Sequence, residues 1–321
     1  MNSHLKYLSL EEFQNADDTQ KKIIADSFID GLRMYGFAII KDTIFNSDLE
    51  SNLYKSANEF FDSDNQLKEA YNFPELFGQR GYTKPLVETA QGSSTPDLKE
   101  FYQYGRSPEG IYTTDLGYYE NPKLVDFAEF EIHLKEIYKV LNTVSLQVLE
   151  VVSLGLGLDF EFFQKYTDYG NSIFRVLKYF SYNDLDLISE NNFDAIPKWA
   201  EAHTDINLIT LLIGSTQQGL QIYSEGKWLD YIAKPGELAM NVGDMLSRMT
   251  GNYLPSTMHR VICPENFYGT RLSAPFFLHP SYNMPLGVHP ELNEKFHIQS
   301  FDPILAGDFL NQRLIEIGLK N

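Results

Sequence analysis

The chain has 321 residues, 43% of them hydrophobic and 22% charged, with 26 lysines and arginines against 44 aspartates and glutamates, a formal net charge of −18. This is ample for a folded core, and so acidic a surface repels nucleic-acid phosphate and anionic membranes, which argues against both as main partners. Cys263 is the only cysteine, so no internal disulfide and no cysteine-based zinc or iron–sulfur site can form.

The N-terminus, Met1-Asn2-Ser3-His4-Leu5-Lys6, lacks the basic start and apolar run of a secretory signal. No stretch reads as long and apolar enough to span a bilayer. The expectation is a soluble cytoplasmic protein in a reducing compartment; nothing in the sequence sets its oligomeric state.

In chain order, Ile23, Ile24, Phe28, Ile29 and Leu32 recur at helical spacing and predict a helix over residues 19–35, capped by Asp18 or Thr19 and ended by Gly36. Residues 37–40 follow as a short buried strand, and residues 47–61 as a second helix ending in Phe60-Phe61. Residues 73–95 are rich in Gly, Pro, Ser and Thr and read as loop. A long helix is predicted over residues 123–153, with Phe127, Phe130, Leu134, Ile137, Leu141, Val144, Val148 and Val151 on a related face and Gly155 and Gly157 closing it. After about residue 170 the pattern changes to short strands at 174–180, 208–213, 219–223, 237–242, 257–263 and 271–278, which suggests a sandwich or barrel. The end returns to helix, started by Asp302 and Pro303, with Phe309, Leu310, Leu314, Ile315 and Ile317 on its apolar side. The organisation expected is one domain over residues 1–321: a mostly helical part at 1–170 packed on the barrel, a β core at 171–280, and a tail and helix at 281–321.

Three side chains carry the chemistry. His203 and Asp205 stand at i and i+2, so on a strand edge both reach one side. His259 must arrive from another strand, the one predicted at 257–263. Two imidazoles and one carboxylate form a facial ligand set that leaves positions open for oxygen and an organic acid; iron suits it, and zinc also takes such a set. A lone His-x-Asp pair is weak evidence, because such pairs are often only hydrogen-bonded; His259 strengthens it. Arg271 and Ser273 share one face of the last strand; if that strand neighbours the one bearing His259, both point into the same cavity. A guanidinium grips a carboxylate with two parallel hydrogen bonds, and the nearby hydroxyl completes a clasp. Arg260, beside His259, is expected to make structural hydrogen bonds.

With these residues in place, the chain resembles the isopenicillin N synthase-like family of Fe(II)/2-oxoglutarate-dependent dioxygenases. The matching text runs through nearly the whole chain. It includes Tyr35-Gly36-Phe37, Phe60-Phe61, Lys68, Gly81-Tyr82, Asp97-Leu98-Lys99-Glu100-Phe101 and Arg175-Val176-Leu177-Lys178-Tyr179. It continues through Ala202-His203-Thr204-Asp205, Gly219-Leu220-Gln221, Asn241-Val242-Gly243-Asp244, His259-Arg260-Val261 and Arg271-Leu272-Ser273. The resemblance implies a mainly β fold, a double-stranded β-helix (cupin-like jelly roll) with flanking helices. It implies iron on His203, Asp205 and His259, the distal carboxylate of 2-oxoglutarate on Arg271 and Ser273, and Tyr179 beside that cosubstrate. Leu177 stands where some members carry a helpful asparagine. Tyr179-Phe180-Ser181 replaces the usual Tyr-Pro and implies a different loop into residues 183–198. Phe277 matches a position that often lines the substrate pocket; Tyr82, Phe101 and Tyr102 hint at further aromatic lining.

The activity so implied uses Fe(II), 2-oxoglutarate and O2 to oxidise, by default hydroxylate, a small organic substrate with release of succinate and CO2. Two alternatives stay open at this level. One is an isopenicillin N synthase-type oxidase whose substrate carboxylate occupies the Arg271/Ser273 clasp. The other is a non-catalytic small-acid-binding protein on the same barrel.

Overall fold

The computed structural model describes residues 5–88, 96–111, 113–181, 199–231, 234–264, 267–296 and 301–316; the loop expected at 183–198, and Ile317, lie outside them. The strands are β1 (Lys6–Ser9), β2 (Phe37–Lys41), β3 (Gly81–Thr83), β4 (Lys99–Gly105), β5 (Ile173–Tyr179), β6 (Ala200–His203), β7 (Ile209–Ile213), β8 (Leu220–Ser224), β9 (Lys227–Asp230), β10 (Leu238–Val242), β11 (His259–Val261) and β12 (Arg271–Leu278). The helices are α1 (Leu10–Asn15), α2 (Asp18–Tyr35), α3 (Ser47–Phe61), α4 (Asn65–Glu69), α5 (Ala128–Leu156), α6 (Gln164–Thr167), α7 (Asp244–Met249), α8 (Pro290–Phe296) and α9 (Ala306–Glu316).

Eight strands form one sheet in the order β1-β2-β10-β7-β12-β5-β4-β3, and four form a second in the order β6-β11-β8-β9. Among these pairings β1 and β2 run parallel; the other neighbours run antiparallel. Alternation along each strand of the large sheet sorts its side chains into two layers. Leu272, Ala274, Phe276 and Leu278 of β12 and Phe174 and Val176 of β5 join the helix-side core, while Leu177 and Tyr179 of β5 and Phe37 and Ile39 of β2 join a smaller core between the sheets with Trp199, Ile222 and Val261. These two facing sheets and flanking helices are the jelly roll that the resemblance implies.

Helix α2 starts one residue before its predicted limit because Asp17, rather than Asp18 or Thr19, accepts the backbone N–H of Gln20 at 2.9 Å. It stops at Gly36, whose φ of 64° is left-handed and whose N–H returns to the Leu32 carbonyl at 2.7 Å. A Cβ there would also meet the Pro255 carbonyl oxygen at 2.5 Å.

Several expectations are corrected. Within residues 1–170 the helices α1 to α6 outweigh the strands, yet this part also enters the barrel: it supplies β1 to β4, half of the large sheet. β3 interrupts the loop predicted at 73–95, and β4 escapes a pattern search because its charged residues are buried, Lys99 and Glu100 being held by ion pairs rather than turned to water. Helix α5 is long and apolar enough to cross a membrane by length and composition. Its apolar surface is instead met by α2, α3 and strands of the large sheet, and Gly155, within α5 rather than closing it, lets α2 approach so closely that a Cβ would stand 2.6 Å from the Ala25 carbonyl oxygen. The last helix begins at Ala306, later than Asp302 and Pro303 suggest.

Candidate metal centre and substrate cavity

The two imidazoles come from the small sheet and the carboxylate from its junction with the large one. β6 and β11 pair antiparallel with His203 directly opposite His259, and their ring centroids are 4.4 Å apart. Asp205 stands just past β6, in the connection to β7. His203 Nε2 and His259 Nε2 lie 3.9 and 3.8 Å from Asp205 Oδ1. The three candidate ligand atoms all fall within 4.8 Å of one another.

The partners of the remaining atoms decide what these three face. His203 Nδ1 lies 2.7 Å from the Glu201 carbonyl and His259 Nδ1 3.1 Å from the Thr257 carbonyl. A carbonyl only accepts, so each Nδ1 carries the proton and each Nε2 presents a lone pair. Asp205 Oδ2 accepts from Thr210 Oγ1 at 2.6 Å and Asn241 Nδ2 at 2.8 Å, both on the large sheet, which leaves Oδ1 turned to the imidazoles. The Asp205 carbonyl accepts the Asp244 N–H at 2.7 Å. Burial pushes the Asp205 carboxyl up, but His259, His203 and the two hydrogen bonds outweigh it and hold its pKa below the usual value. Burial and the adjacent His259 push the His203 pKa down. Neutral imidazoles and an ionised carboxylate are the states that bind a metal, so the donor set fits a ferrous ion.

Arg271 stands on the inner face of β12 and is 1% exposed. Its Nε donates to the Gln217 carbonyl at 3.0 Å, and its guanidinium lies 4.9 Å from the Tyr179 ring centroid. Its Nη1 is buried with no hydrogen-bond partner among the described residues. Burial pushes its pKa down while Tyr179 and Tyr54 push it back. A buried guanidinium with an open N–H edge calls for an anion, which fits a carboxylate cosubstrate. Ser273 follows on the same face, 3% exposed, opposite Leu177 on β5. The clasp strand and the strand of His259 are not neighbours. β12 lies between β5 and β7 in the large sheet and β11 in the small one, so the clasp looks across the gap between sheets.

Beside the triad opens a cavity of about 280 Å³ whose lining includes His203, Asp205, Phe277 and His279. Its polar wall carries Arg175, Lys99, Gln103, Glu88 and Asp97; Ile173 and Ile206 add apolar surface, and Leu310, Arg313 and Leu314 of α9 close one side. His279 is 8% exposed and its Nδ1 has no partner among the described residues.

Phe277 thus lines the cavity, and Tyr179 backs Arg271. Phe101 belongs to the core between the sheets, with Arg175 4.1 Å above its ring, and is not among the lining residues. Tyr82 is a correction: alternation turns it to the helix side, where its hydroxyl donates to Glu100 Oε2 at 2.6 Å and its ring packs on Phe60. Tyr102 likewise packs on Phe60 and Phe130. Arg260 donates to Gln221 Oε1 at 2.9 Å and stacks on Trp228, as expected of a structural residue. Arg175, Lys99, Glu88, His279 and the α9 side chains are cavity residues that no sequence motif singled out for that role. Arg175 was findable, since it shares the inward face of Leu177 and Tyr179; Glu88 and α9 come from remote segments with no local signal.

The family model described as 2OG-Fe(II) oxygenase superfamily matches residues 174–280. That of the non-haem dioxygenase in morphine synthesis N-terminal region matches residues 6–123. A solved 2OG-Fe(II) oxygenase family protein from Caulobacter crescentus is 32% identical, covering 98% of this chain and 99% of that one, with a TM-score of 0.82. A full-length Neurospora crassa protein, solved in complex with alpha-KG and thymine, shares the fold at 23% identity and a TM-score of 0.80, covering 98% of each chain. A 2-oxoglutarate-Fe(II) type oxidoreductase of Emericella nidulans is 27% identical, the match spanning 84% of this chain and 78% of its own. With a convergent His-Asp-His set and a buried arginine holding an open N–H edge already in place, the chain belongs to the 2OG-Fe(II) oxygenase superfamily and is an oxidoreductase using Fe(II), 2-oxoglutarate and O2.

Proposed function

We propose that this dioxygenase hydroxylates a small organic molecule held in the cavity beside His203 and Asp205. In this reading His203, Asp205 and His259 hold the iron; Arg271 and Ser273, backed by Tyr179, hold the distal carboxylate of 2-oxoglutarate; and Phe277 is part of the substrate wall. The observation that carries it is the division of atoms at the triad: every ligand atom not turned to the common point is already engaged by the protein. The thymine-bound neighbour supports a small-molecule substrate.

Iron(II) with 2-oxoglutarate, when bound, supplies oxygen activation coupled to release of succinate and CO2. The chain's own residues do the positioning. Thr210 and Asn241 orient the Asp205 carboxylate, Glu201 and Thr257 set the tautomers of the two imidazoles, and the inter-sheet core around Trp199 keeps water from Arg271, where a hydrogen bond to charge is strongest. Phe277 and the α9 leucines give the cavity an apolar side that holds a C–H bond near the metal position. An oxidase that dispenses with 2-oxoglutarate is not favoured by the relatives, and an intact ligand set argues against a mere binding protein.

The test is anaerobic addition of Fe(II) and 2-oxoglutarate, followed in the visible region, and then oxygen with pooled metabolites. The expected result is a weak charge-transfer band, lost in His203→Ala, and succinate formed in step with one oxidised metabolite. Substrate oxidation without succinate would overturn the use of 2-oxoglutarate, and a band of full strength in His203→Ala would overturn the ligand assignment.

A further inference from the structure

The polar wall of the cavity contains cations that are already neutralised. Arg175 Nη1 and Nη2 each meet an oxygen of Glu88 at 3.0 Å, and its Nε donates to Gln103 Oε1 at 3.0 Å. Lys99 Nζ lies 2.9 Å from Glu88 Oε2 and 2.8 Å from Asp97 Oδ2. Arg313, on the α9 side, lies 2.7 Å from Glu316. Among the described residues, every lysine or arginine lining the cavity therefore has a carboxylate within 3.0 Å.

Resting on the dioxygenase assignment above, we propose that the cavity takes an uncharged substrate bearing a carbonyl group, such as an amide, lactam or imide, and that Glu88 is the residue that excludes carboxylates. Hydrogen-bond capacity and charge part company on this wall. A guanidinium has five N–H donors and an ammonium three; the contacts above engage three of Arg175 and two of Lys99. Donors remain, but without net positive charge. A carbonyl oxygen is matched by such donors. A carboxylate brings a full charge to the edge of Glu88 and finds, among the described residues lining the cavity, no cation free to offset its desolvation. Glu88 stays ionised at any working pH: burial pushes its carboxyl up, yet Arg175 and Lys99 bring it down to about 2. Ile173, Phe277 and Leu310 supply the apolar surface for the rest of the molecule. At ~30 Å³ per water, 280 Å³ holds about nine water-sized groups, the scale of a single ring with substituents.

The experiment uses the protein loaded anaerobically with Fe(II) and 2-oxoglutarate. The probes are matched pairs that differ by a carboxylate: nicotinamide and nicotinate, benzamide and benzoate, 2-pyrrolidone and 5-oxoproline, uracil and orotate. Binding is read as perturbation of the visible band, without turnover. In the wild type the neutral member of at least one pair perturbs the band at a concentration at least tenfold lower than its acid. Glu88→Gln lowers that ratio tenfold or more by unmasking Arg175 and Lys99, and Arg175→Gln weakens the neutral member. The wild-type comparison needs no variant to fold, and thermal unfolding of each variant checks that it does. Acids binding as tightly as their neutral partners would overturn the proposal. So would a band that no pair perturbs, or a ratio in Glu88→Gln within twofold of wild type. Failure to form the band at all, before any probe is added, would instead count against the dioxygenase assignment.

Discussion

Replacing Thr210 by valine removes a single hydroxyl from beneath the metal centre and keeps the side chain's shape. The hydroxyl donates to Asp205 Oδ2 at 2.6 Å, and Asp205 is 7% exposed, so no solvent replaces it. A hydrogen bond to a charged group contributes about 1.5–3 kcal/mol. Asn241 remains as the second donor at 2.8 Å, so the carboxylate stays but loses one of its two fixed directions. Loss of such outer contacts weakens metal binding by about 10- to 100-fold. The two routes agree, since 1.4 kcal/mol is about tenfold in a binding constant. The same loss lets the Asp205 carboxyl pKa rise, because the Thr210 bond is among the contacts that lower it, and protons compete with the metal at a higher pH. Anaerobic calorimetric titration of apoprotein with Fe(II) measures the change, and Thr210→Ser, which restores the hydroxyl, should stay within about threefold of wild type on the same reasoning. Affinity of the valine variant within twofold of wild type would refute the idea that Thr210 orients the ligand.

Arg271→Lys keeps the charge but loses the planar fork, and the 2-oxoglutarate concentration needed for half-formation of the visible band should rise by about tenfold or more; an unchanged requirement would show that the clasp lies elsewhere. Gly243 sits where a Cβ would stand 2.1 Å from the Asn207 carbonyl oxygen. Gly243→Ala should therefore cost about 1–3 kcal/mol of stability and weaken Fe(II) binding, because Asp244 next door donates to the Asp205 carbonyl; denaturant unfolding and metal titration read the two effects. Burial holds His279 near a pKa of about 4, against about 6.5 in an unfolded chain. As pH falls from about 6.5 towards 4 the unfolded chain takes up a proton that folded His279 refuses, so up to about 3 kcal/mol of stability present above 6.5 is lost across that window. Apoprotein Tm from pH 7 to 4.5 should fall less steeply in His279→Gln, and equal slopes would rule this residue out as a source of the acid sensitivity.

The strand carrying the clasp was legible from end to end, because Arg271 to Leu278 alternates cleanly and turns follow on both sides. The pairing of His203 with His259 was legible as a need for convergence, though not as a register, since register depends on which strands become neighbours. β4 was hidden by its own chemistry: Lys99 and Glu100 read as surface but are buried by partners distant in sequence, Lys68 at 2.9 Å from Glu100 among them. Tyr82 was misjudged for a related reason. Its motif marked it as notable, but only the pleat of β3 against β4 decides which side of the sheet it faces. The cavity wall drew on Glu88, β4, β5 and α9, and no local pattern announces a surface assembled from such separate stretches.

Asp205 is braced by residues of the large sheet, whereas both imidazoles ride on the small one. An ion bound to all three would act as a rivet between the two halves of the barrel. Occupancy should therefore tighten the whole scaffold, so that iron-starved chains breathe more at the mouth and are cut sooner by proteases than loaded ones. Supply of the metal would then govern how long each molecule survives as well as whether it turns over.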